Sequence, residues 1–277
     1  MASSPLVTTD WLESHLDDPD LRIIEICSVD DDKTYHEAHI PGAMWLFWKA
    51  ACWQATDRDL ITPNELAELF GRLGIRPDST VVLYGDPIQY GSYAYWAFTM
   101  AGHTNLRLLD GGRKKWLRER RPVSQNVPRF APQDYAISTG SSTSRVGRKN
   151  VRDHLHRPGR LLLDVRSPEE YSGKRVSEYT FAVDHGAQRS GRIPGAVHLY
   201  FKEILNDDDS FKSADEMRQV LEVVGVAHEK FDDIVCYCRM THRATIVWLA
   251  LTHILGHANV KLYDGSWTEW GSIVGYP

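Results

Sequence analysis

The chain of 277 residues exceeds the roughly 100–200 residues of an ordinary single domain, so two domains are expected. Its formal net charge of −5, with charges of both signs in both halves, argues against a nucleic-acid-binding or membrane-surface role. No apolar run approaches the roughly 20 residues of a membrane span and the amino terminus lacks a leader pattern, so we expect a cytoplasmic protein.

Short apolar runs alternate with amphipathic segments along the first half. The runs 21–26, 81–85 and 106–110 have the length and composition of buried strands. Between them, 64–74 and 92–102 repeat apolar residues at helical spacing. The first half is therefore predicted to alternate strands with helices.

The second half shows the same alternation. Strands are predicted at 161–165, 234–238 and 260–264, and helices at 213–225 and 243–256. Strands that alternate with helices are typical of a mostly parallel sheet with helices on both faces. Each half is therefore predicted to be an α/β domain of this kind.

Three stretches of the first half recur in the second in the same order. "HIPGA" recurs as "RIPGA", which places Gly42 and Gly195 153 positions apart (195 − 42), and "VVLYG" and "IVCYC" have the same offset. "AGHTNLRLLDGGRKKW" recurs as "LGHANVKLYDGSWTEW", where Gly111 and Gly265 are 154 apart (265 − 111). The chain is therefore predicted to be a tandem duplication, with one residue gained or lost between the second and third matches.

A segment rich in proline, serine and threonine joins the halves. We predict an amino-terminal domain over 1–124, a linker over 125–145 and a carboxy-terminal domain over 146–277. Part of the linker is expected to be strapped across the first domain, because a free loop of that length is unusual.

One cysteine occupies a position typical of a catalytic nucleophile. Cys238 ends a predicted strand about five residues before a helix starts, and parallel α/β sheets bind ligands at this place. The helix N-terminus and the neighbouring Arg239 and Arg243 favour the thiolate, which is the nucleophilic form. Cys236 fits the ordinary role of a small buried residue, and Gly85, the counterpart of Cys238 in the first half, has no thiol.

Disulfide bonds and zinc binding by the cysteines are not expected. Four cysteines in a chain of this length are too few for a disulfide scaffold, and no cysteine or histidine spacing predicts zinc. A disulfide between Cys236 and Cys238 is disfavoured because two residues of one strand have poor disulfide geometry. We expect neither a metal nor an organic cofactor.

The spacing of Cys238 and Arg243 defines a six-residue loop. Its backbone N–H groups can converge on one atom or anion. Phosphatases with a cysteine nucleophile use a loop longer by one residue, which holds a phosphate. The shorter loop fits a sulfur atom carried on the cysteine better, so a phosphatase is the less favoured hypothesis.

These motifs together resemble the rhodanese family, specifically the tandem-domain thiosulfate sulfurtransferases in which only the carboxy-terminal domain keeps the cysteine. The resemblance rests on "HIPGA", "LLDGG", "LLDVRSPEEYSGK", "GRIPGA", "YCRMTHR" and "YDGSWTEWG", and it covers nearly the whole chain. It implies two rhodanese-like domains. The loop is similar to the C-R-x-x-x-R form of thiosulfate-using members and not to the C-G-S-G-V-T form of mercaptopyruvate-using members.

The resemblance implies a ping-pong transfer of sulfur. Cys238 would take the outer sulfur of thiosulfate as a persulfide, release sulfite, and pass the sulfur to cyanide or another thiophilic acceptor such as a thiol. Because the donor and the thiolate are both anions, cations must offset their repulsion. Arg239 and Arg243 in the loop, and Arg166 after the neighbouring strand, are the predicted substrate-binding cations.

The remaining loop residues, Met240, Thr241 and His242, complete the predicted substrate-binding set. Thr241 either donates to a persulfide sulfur, which we prefer, or caps the following helix. His242 either adds charge when protonated or faces solvent. Glu170 stands where some members of the family carry a further arginine, which would weaken thiosulfate binding or shift donor preference.

Two further groups of residues have open roles. Asp164 is expected to hold a loop or an arginine and not to act as a general base. The aromatic residues Trp45, Phe47 and Trp48 either shield the persulfide from water or are plain core or domain-interface residues.

Two alternative functions remain open. One is a 3-mercaptopyruvate sulfurtransferase, which a comparison of donors would distinguish. The other is a persulfide carrier or binding module, whose role is to dock a protein partner and not to turn over small donors.

Overall fold

Each half of the chain folds around its own five-stranded sheet. The computed structural model describes residues 4–136, 143–175, 187–226 and 231–277. The chain divides into two units with their boundary between Ser142 and Thr143, and the short segment Asp207–Ser210 groups with the first unit. Part of the predicted linker, 137–142, lies outside the described residues.

The first sheet is parallel throughout, with the order β1-β5-β4-β2-β3. Its strands are β1 (Leu6–Val7), β2 (Leu21–Cys27), β3 (Ala43–Phe47), β4 (Thr80–Asp86) and β5 (Leu106–Leu109). The helices of this unit are α1 (Thr9–Ser14), α2 (Lys33–Glu37), α3 (Trp48–Cys52), α4 (Pro63–Arg72), α5 (Ile88–Ala101) and α6 (Gly112–Arg118).

The second sheet repeats this topology as β6-β10-β9-β7-β8, again with all pairs parallel. Its strands are β6 (Arg145–Val146), β7 (Arg160–Asp164), β8 (Val197–His198), β9 (Asp233–Tyr237) and β10 (Val260–Tyr263). The helices are α7 (Arg148–Asp153), α8 (Pro168–Ser172), α9 (Ala214–Val223), α10 (His242–Leu249) and α11 (Ser266–Trp270), with a 3-10 helix at Phe201–Ile204 and a π-helical turn at Ala250–Ile254.

The predicted fold class is confirmed in both halves. Every residue of β2 and of β9 is buried, as expected of strands in a parallel sheet that is covered on both faces. The helix predicted at 213–225 begins where Ser213 and Glu216 form a reciprocal capping box and ends just before Gly225, which adopts a left-handed conformation.

Two helices differ from their predicted bounds by more than two residues. The helix α5 begins at Ile88, four residues before the predicted start at 92 (92 − 88). The segment predicted as one helix over 243–256 is α-helical only to Leu249 and continues as the π-helical turn. Periodicity of apolar residues does not reveal such a local widening, because a π-turn keeps almost the same buried face.

Part of the predicted linker lies against the rest of the first unit, which confirms the expected strap. It follows directly on Ser124, which exchanges backbone hydrogen bonds of 2.8 and 2.9 Å with His39. The guanidinium of Arg22 lies 4.1 Å from the centre of the Phe130 ring. A Cβ added to Gly74 would lie 2.5 Å from the Phe130 Cβ, so glycine is required for this close approach.

The difference between the two repeat offsets lies in one loop. Two residues separate Gly85 from the start of α5 at Ile88, whereas three residues separate Cys238 from the start of α10 at His242. The extra residue of the second half therefore lies in the loop between Cys238 and His242.

No helix in the described parts of the chain is both long enough and apolar enough to span a bilayer.

Candidate functional site

The predicted nucleophile lies at the carboxyl end of the second sheet. Cys238 directly follows β9, which pairs with β10 on one side and β7 on the other. Its exposed fraction is 1%, and residues 239–241 connect it to α10. The structure thus places the thiol at the strand-to-helix turn of a central strand, where parallel α/β sheets hold their ligands.

The loop is closed by a serine that sequence analysis did not single out. Ser266, the first residue of α11, accepts hydrogen bonds at its Oγ from the backbone N–H groups of Cys238 (3.3 Å) and Thr241 (3.1 Å). The same hydroxyl donates to the Tyr263 carbonyl at 2.9 Å. One side chain therefore joins Cys238, the first residue of the loop, to Thr241, the last residue before α10.

The backbone of α11 adds two hydrogen bonds to the loop, and Ser266 with these two bonds is called the clamp. The N–H of Trp267 donates to the Cys238 carbonyl at 2.9 Å, and that of Thr268 donates to the Arg239 carbonyl at 3.0 Å. Ser266 has φ +51°, a left-handed value that is unfavourable for serine, and its repeat counterpart Gly112 has φ +53°. The replacement of this glycine by serine, in the half that carries the thiol, was the signal that sequence analysis overlooked.

We expect Ser266→Ala to impair the site strongly. The change leaves two buried N–H groups without their acceptor and should reduce the free energy of unfolding by about 1–3 kcal/mol. Because the loop loses its fixed geometry, the sulfur-loading rate of Cys238 should fall by about tenfold to a hundredfold. Stopped-flow loading and urea denaturation measure the two effects.

Two companion variants separate the causes. Ser266→Gly relieves the left-handed strain but also lacks the hydroxyl, so it should load sulfur as slowly as Ser266→Ala. Ser272→Ala removes a hydroxyl that donates to the Thr268 carbonyl, and it should behave as the parent protein. Full activity in Ser266→Gly would show that the hydroxyl has no role.

Thr241 anchors the loop. It has φ +73°, and its hydroxyl donates to the Asp264 carbonyl at 2.5 Å, with the Asp264 carboxylate 3.2 Å away. It makes no side-chain cap to α10. The helix-capping alternative is wrong, because the hydroxyl instead bonds a backbone carbonyl that only the folded chain brings near. Donation to a persulfide sulfur stays a prediction.

The other two loop residues differ in exposure. His242 begins α10 with an exposed fraction of 7%, so the solvent-facing alternative is wrong. Its backbone N–H donates to the carbonyl of Met240, which is half-buried. Both residues shape the turn between the cysteine and the helix.

Arg166 is brought to the site but is tightly paired. Asp164, the last residue of β7, pairs in register with Tyr237, so Arg166 emerges beside the end of β9. The Arg166 guanidinium donates to the Asp164 carboxylate at 2.6–3.1 Å and to the Gly191 carbonyl at 2.7 Å, and both charged side chains are fully buried. Burial opposes the charged guanidinium, but the Asp164 hydrogen bonds and charge outweigh it and raise the pKa of Arg166. The expectation that Asp164 holds an arginine is confirmed.

Arg243 also has a buried acidic partner. Its Nη1 and Nη2 atoms lie 2.7 and 2.9 Å from the two carboxylate oxygens of Glu170, which is fully buried in α8. Burial acts to raise the pKa of Glu170, but hydrogen bonds and charge from Arg243 outweigh it, so the pKa lies below its usual value. The pair is therefore charged at neutral pH.

Arg239 is different from the other two cations. It is half-buried, and its side chain makes no hydrogen bond or ion pair with any residue that the structure describes. Of the three predicted substrate-binding cations, the structure thus leaves Arg239 available and pairs Arg166 and Arg243 with buried carboxylates. Nη1 of Arg166 has no hydrogen-bond partner among the described residues.

The first unit cannot hold a thiol at the matching place. A Cβ added to Gly85 would lie 2.4 Å from the Gly91 nitrogen and 2.7 Å from the Pro87 carbonyl oxygen. These are backbone atoms, which cannot move aside without shifting the start of α5. The shorter loop of the first unit therefore excludes any side chain at this position.

We expect Gly85→Ala to lower the free energy of unfolding by about 2–4 kcal/mol, because overlap with backbone atoms forces the strand and helix apart. Gly147→Ala is the control, since nothing lies within 4 Å of its added Cβ. Thermal denaturation of both variants gives the comparison. Equal stability of the two would contradict the steric account.

The remaining thiols and aromatic residues have structural positions. All four cysteines are free thiols, and burial raises the pKa of Cys236, which lies inside β9. Trp48 is 4% exposed, packs against the Trp53 ring and donates to the Ser28 carbonyl, as a core residue does. Trp45 and Phe47 are half-buried in β3. In the described parts of the chain, no group of three histidine, cysteine or acidic residues is arranged to bind a metal.

Known proteins match this chain over its full length. The rhodanese-like domain model matches it twice, over residues 8–119 and 148–273. The sulfur carrier protein TtuD of Thermus thermophilus is 43% identical over 98% of this chain and 95% of its own length. A protein of Haloferax volcanii provisionally named a thiosulfate sulfurtransferase is 41% identical over 100% of this chain and 96% of its own.

Solved structures match as well. The wild-type structure of EanB has a TM-score of 0.83 at 24% identity, covering 99% of this chain and 68% of that one. The anaerobic ergothioneine biosynthesis enzyme of Chlorobium limicola, with its trimethyl histidine substrate bound, has a TM-score of 0.82 at 24% identity, covering 99% and 69%. At this identity the likeness shows the fold alone.

Proposed function

Because the chain belongs to the rhodanese family, as a sulfurtransferase with one rhodanese-like domain in each half, we propose that it is a thiosulfate sulfurtransferase that carries sulfur as a persulfide on Cys238. The observation that carries this proposal is the place of Cys238, at the end of a central strand and in a loop closed by Ser266. A cysteine that served only to pack the core would need neither the hydrogen bonds from Ser266 nor an adjacent arginine, Arg239, that has no acidic partner among the described residues.

The proposed cycle has two half-reactions. First, the Cys238 thiolate attacks the outer sulfur of thiosulfate, and the S–S bond breaks with its electron pair on the departing sulfite. Second, cyanide attacks the outer sulfur of the persulfide, which gives thiocyanate and restores the thiolate. A thiol acceptor would take the same sulfur to form its own persulfide. The sulfane sulfur keeps its oxidation state throughout, so the cycle uses no metal or organic cofactor.

The loop residues have distinct parts in this cycle. Arg239 supplies the cation that offsets repulsion between thiolate and donor and binds the leaving sulfite. Ser266 and Thr241 hold the loop in the shape that presents the sulfur. Arg166 and Arg243 act through their buried carboxylate partners and fix the surroundings of the loop.

Initial rates measured over a grid of thiosulfate and cyanide concentrations test the proposal. A ping-pong enzyme gives parallel double-reciprocal lines, because sulfite leaves before cyanide reacts. Intersecting lines would contradict the persulfide cycle. A higher rate with 3-mercaptopyruvate than with thiosulfate would reassign the chain as a mercaptopyruvate sulfurtransferase.

A persulfide carrier is the second candidate, and the 43% identity to a protein named as a sulfur carrier favours it. Such a protein would load sulfur once on Cys238 and release it to a protein acceptor, with negligible turnover to cyanide or small thiols. Saturable thiocyanate formation would argue against this candidate, and a stable persulfide without turnover would argue for it.

A further inference from the structure

The second loop arginine is neutralised by a residue that the fold places against it. Glu170 and Arg243 are 73 positions apart in sequence, and their side chains meet in a two-point ion pair of 2.7 and 2.9 Å. The side chain of Glu170 is fully buried and that of Arg243 is 9% exposed, so little water screens the pair. A negative charge therefore lies permanently against the cation in the first turn of α10.

Glu170 is held in this position from its other side as well. It is the third residue of α8 and forms a capping box with Ser167, in which its carboxylate accepts from the Ser167 N–H at 3.0 Å and its own N–H donates to the Ser167 hydroxyl at 3.3 Å. The carboxylate oxygen that receives the Ser167 N–H is also the one that receives Arg243 Nη1. Glu170 cannot turn away from Arg243 without breaking the start of α8.

The charges of the three predicted cations and of the groups that oppose them then nearly cancel. Among the described residues, Arg166 is balanced by Asp164, and Arg243 is balanced by Glu170. Of these three cations Arg239 is left, and the negative charge of the Cys238 thiolate opposes it. A site of this kind attracts a dianion only weakly, because Coulomb energy is proportional to the net charge that the donor meets.

We infer that Glu170 is a specificity-determining residue, which makes the site select sulfur donors that carry a single negative charge, namely thiosulfonates and thiol persulfides, over dianionic thiosulfate. This inference rests on the proposed function, since it concerns the donor that loads Cys238. Thiosulfate remains a substrate but is disfavoured by the neutralised Arg243.

The chemistry is the same for each donor. The Cys238 thiolate attacks the outer sulfur and forms a new S–S bond, while the donor's own S–S bond breaks. The electron pair leaves on a sulfinate from a thiosulfonate, on a thiolate from a thiol persulfide, and on sulfite from thiosulfate. Cys238 gains one sulfur as a persulfide anion in every case, with no proton or electron to be supplied.

The test compares thiosulfate with methanethiosulfonate, in which a methyl group replaces one charged oxygen. We expect Glu170→Gln to raise kcat/KM for thiosulfate by about tenfold and for methanethiosulfonate by only about threefold. The variant leaves the charge of Arg243 without its acidic partner, and the attraction of that charge for a donor is proportional to the charge of the donor. Glutamine keeps the capping box, so α8 should still form. The ratio of the two values is the readout, because a general change in Cys238 reactivity affects both donors alike.

Glu169→Gln is the matched control. It removes a carboxylate from the adjacent position, where Glu169 is 44% exposed and pairs with Arg175. This variant should leave the donor ratio unchanged. A ratio that stays constant in Glu170→Gln, or that shifts equally in Glu169→Gln, overturns the inference.

A measurement on the unaltered protein keeps the inference testable if Glu170→Gln does not fold. With the loop charges nearly cancelled, the donor ratio should change less than about twofold as ionic strength rises through the physiological range. A steep loss of thiosulfate activity relative to methanethiosulfonate would show a strongly cationic site and overturn the inference. If neither donor loads Cys238 in the unaltered protein, the proposed function itself fails. If both donors load Cys238 but the ratio of their kcat/KM values does not change in Glu170→Gln, only the inference fails.

Discussion

Cys238→Ser should abolish sulfur transfer. The serine hydroxyl is a far weaker nucleophile than a thiolate and cannot form a persulfide, so the rate of thiocyanate formation from thiosulfate and cyanide should fall by at least about 10³-fold. The variant should fold, because the loop is held by backbone groups of residue 238 that serine retains. Continuous measurement of thiocyanate gives the rate, and circular dichroism checks the fold.

Cys236→Ala is the control for this change. Cys236 lies two residues earlier, fully buried inside β9, and burial raises the pKa of its thiol, so it should be inert. Alanine keeps the site apolar, and activity per folded molecule should stay within about twofold of the parent protein. Retained activity in Cys238→Ser, or equal loss in both variants, would contradict the assignment of the nucleophile.

The second large effect is on stability. Asp164→Asn removes the counter-charge of Arg166 while both side chains are fully buried. An uncompensated charge in that position is costly, and we expect the free energy of unfolding to fall by about 3–5 kcal/mol. Urea denaturation, followed by tryptophan fluorescence, measures the loss.

Two further variants serve as controls for this prediction. Asp215→Asn breaks an exposed pair with Arg218 and should cost less than about 0.5 kcal/mol. The double change Asp164→Asn with Arg166→Met removes both charges and should recover part of the lost stability. A cost below about 1 kcal/mol for Asp164→Asn would contradict the claim that Arg166 needs its buried counter-charge.

Much of the architecture could be predicted because its determinants are local or repeated. Strand-length apolar runs such as 234–238 and the duplicated "IPGA" stretches identify two parallel α/β units. The place of Cys238 followed from the abrupt end of an apolar run at the thiol. Each of these signals lies within a few consecutive residues.

The rest of the site depends on contacts between distant parts of the chain. Ser266 closes the loop across 28 positions, and Glu170 neutralises Arg243 across 73, and neither distance leaves a periodic trace in the sequence. Arg243 is predicted as a substrate-binding cation because it is close to Cys238 along the chain. Its acidic partner, Glu170, comes from α8 and is set by the tertiary fold. Sequence analysis therefore identified the residue types of the site but not which cations are already paired.

The central claim is that Cys238 carries sulfur, and the intact mass of the protein tests it most directly. After incubation with thiosulfate and removal of excess donor, the protein should gain the mass of one sulfur atom, and addition of cyanide should remove it with release of an equal amount of thiocyanate. No gain in mass from thiosulfate, or a gain that persists in Cys238→Ser, would contradict the account.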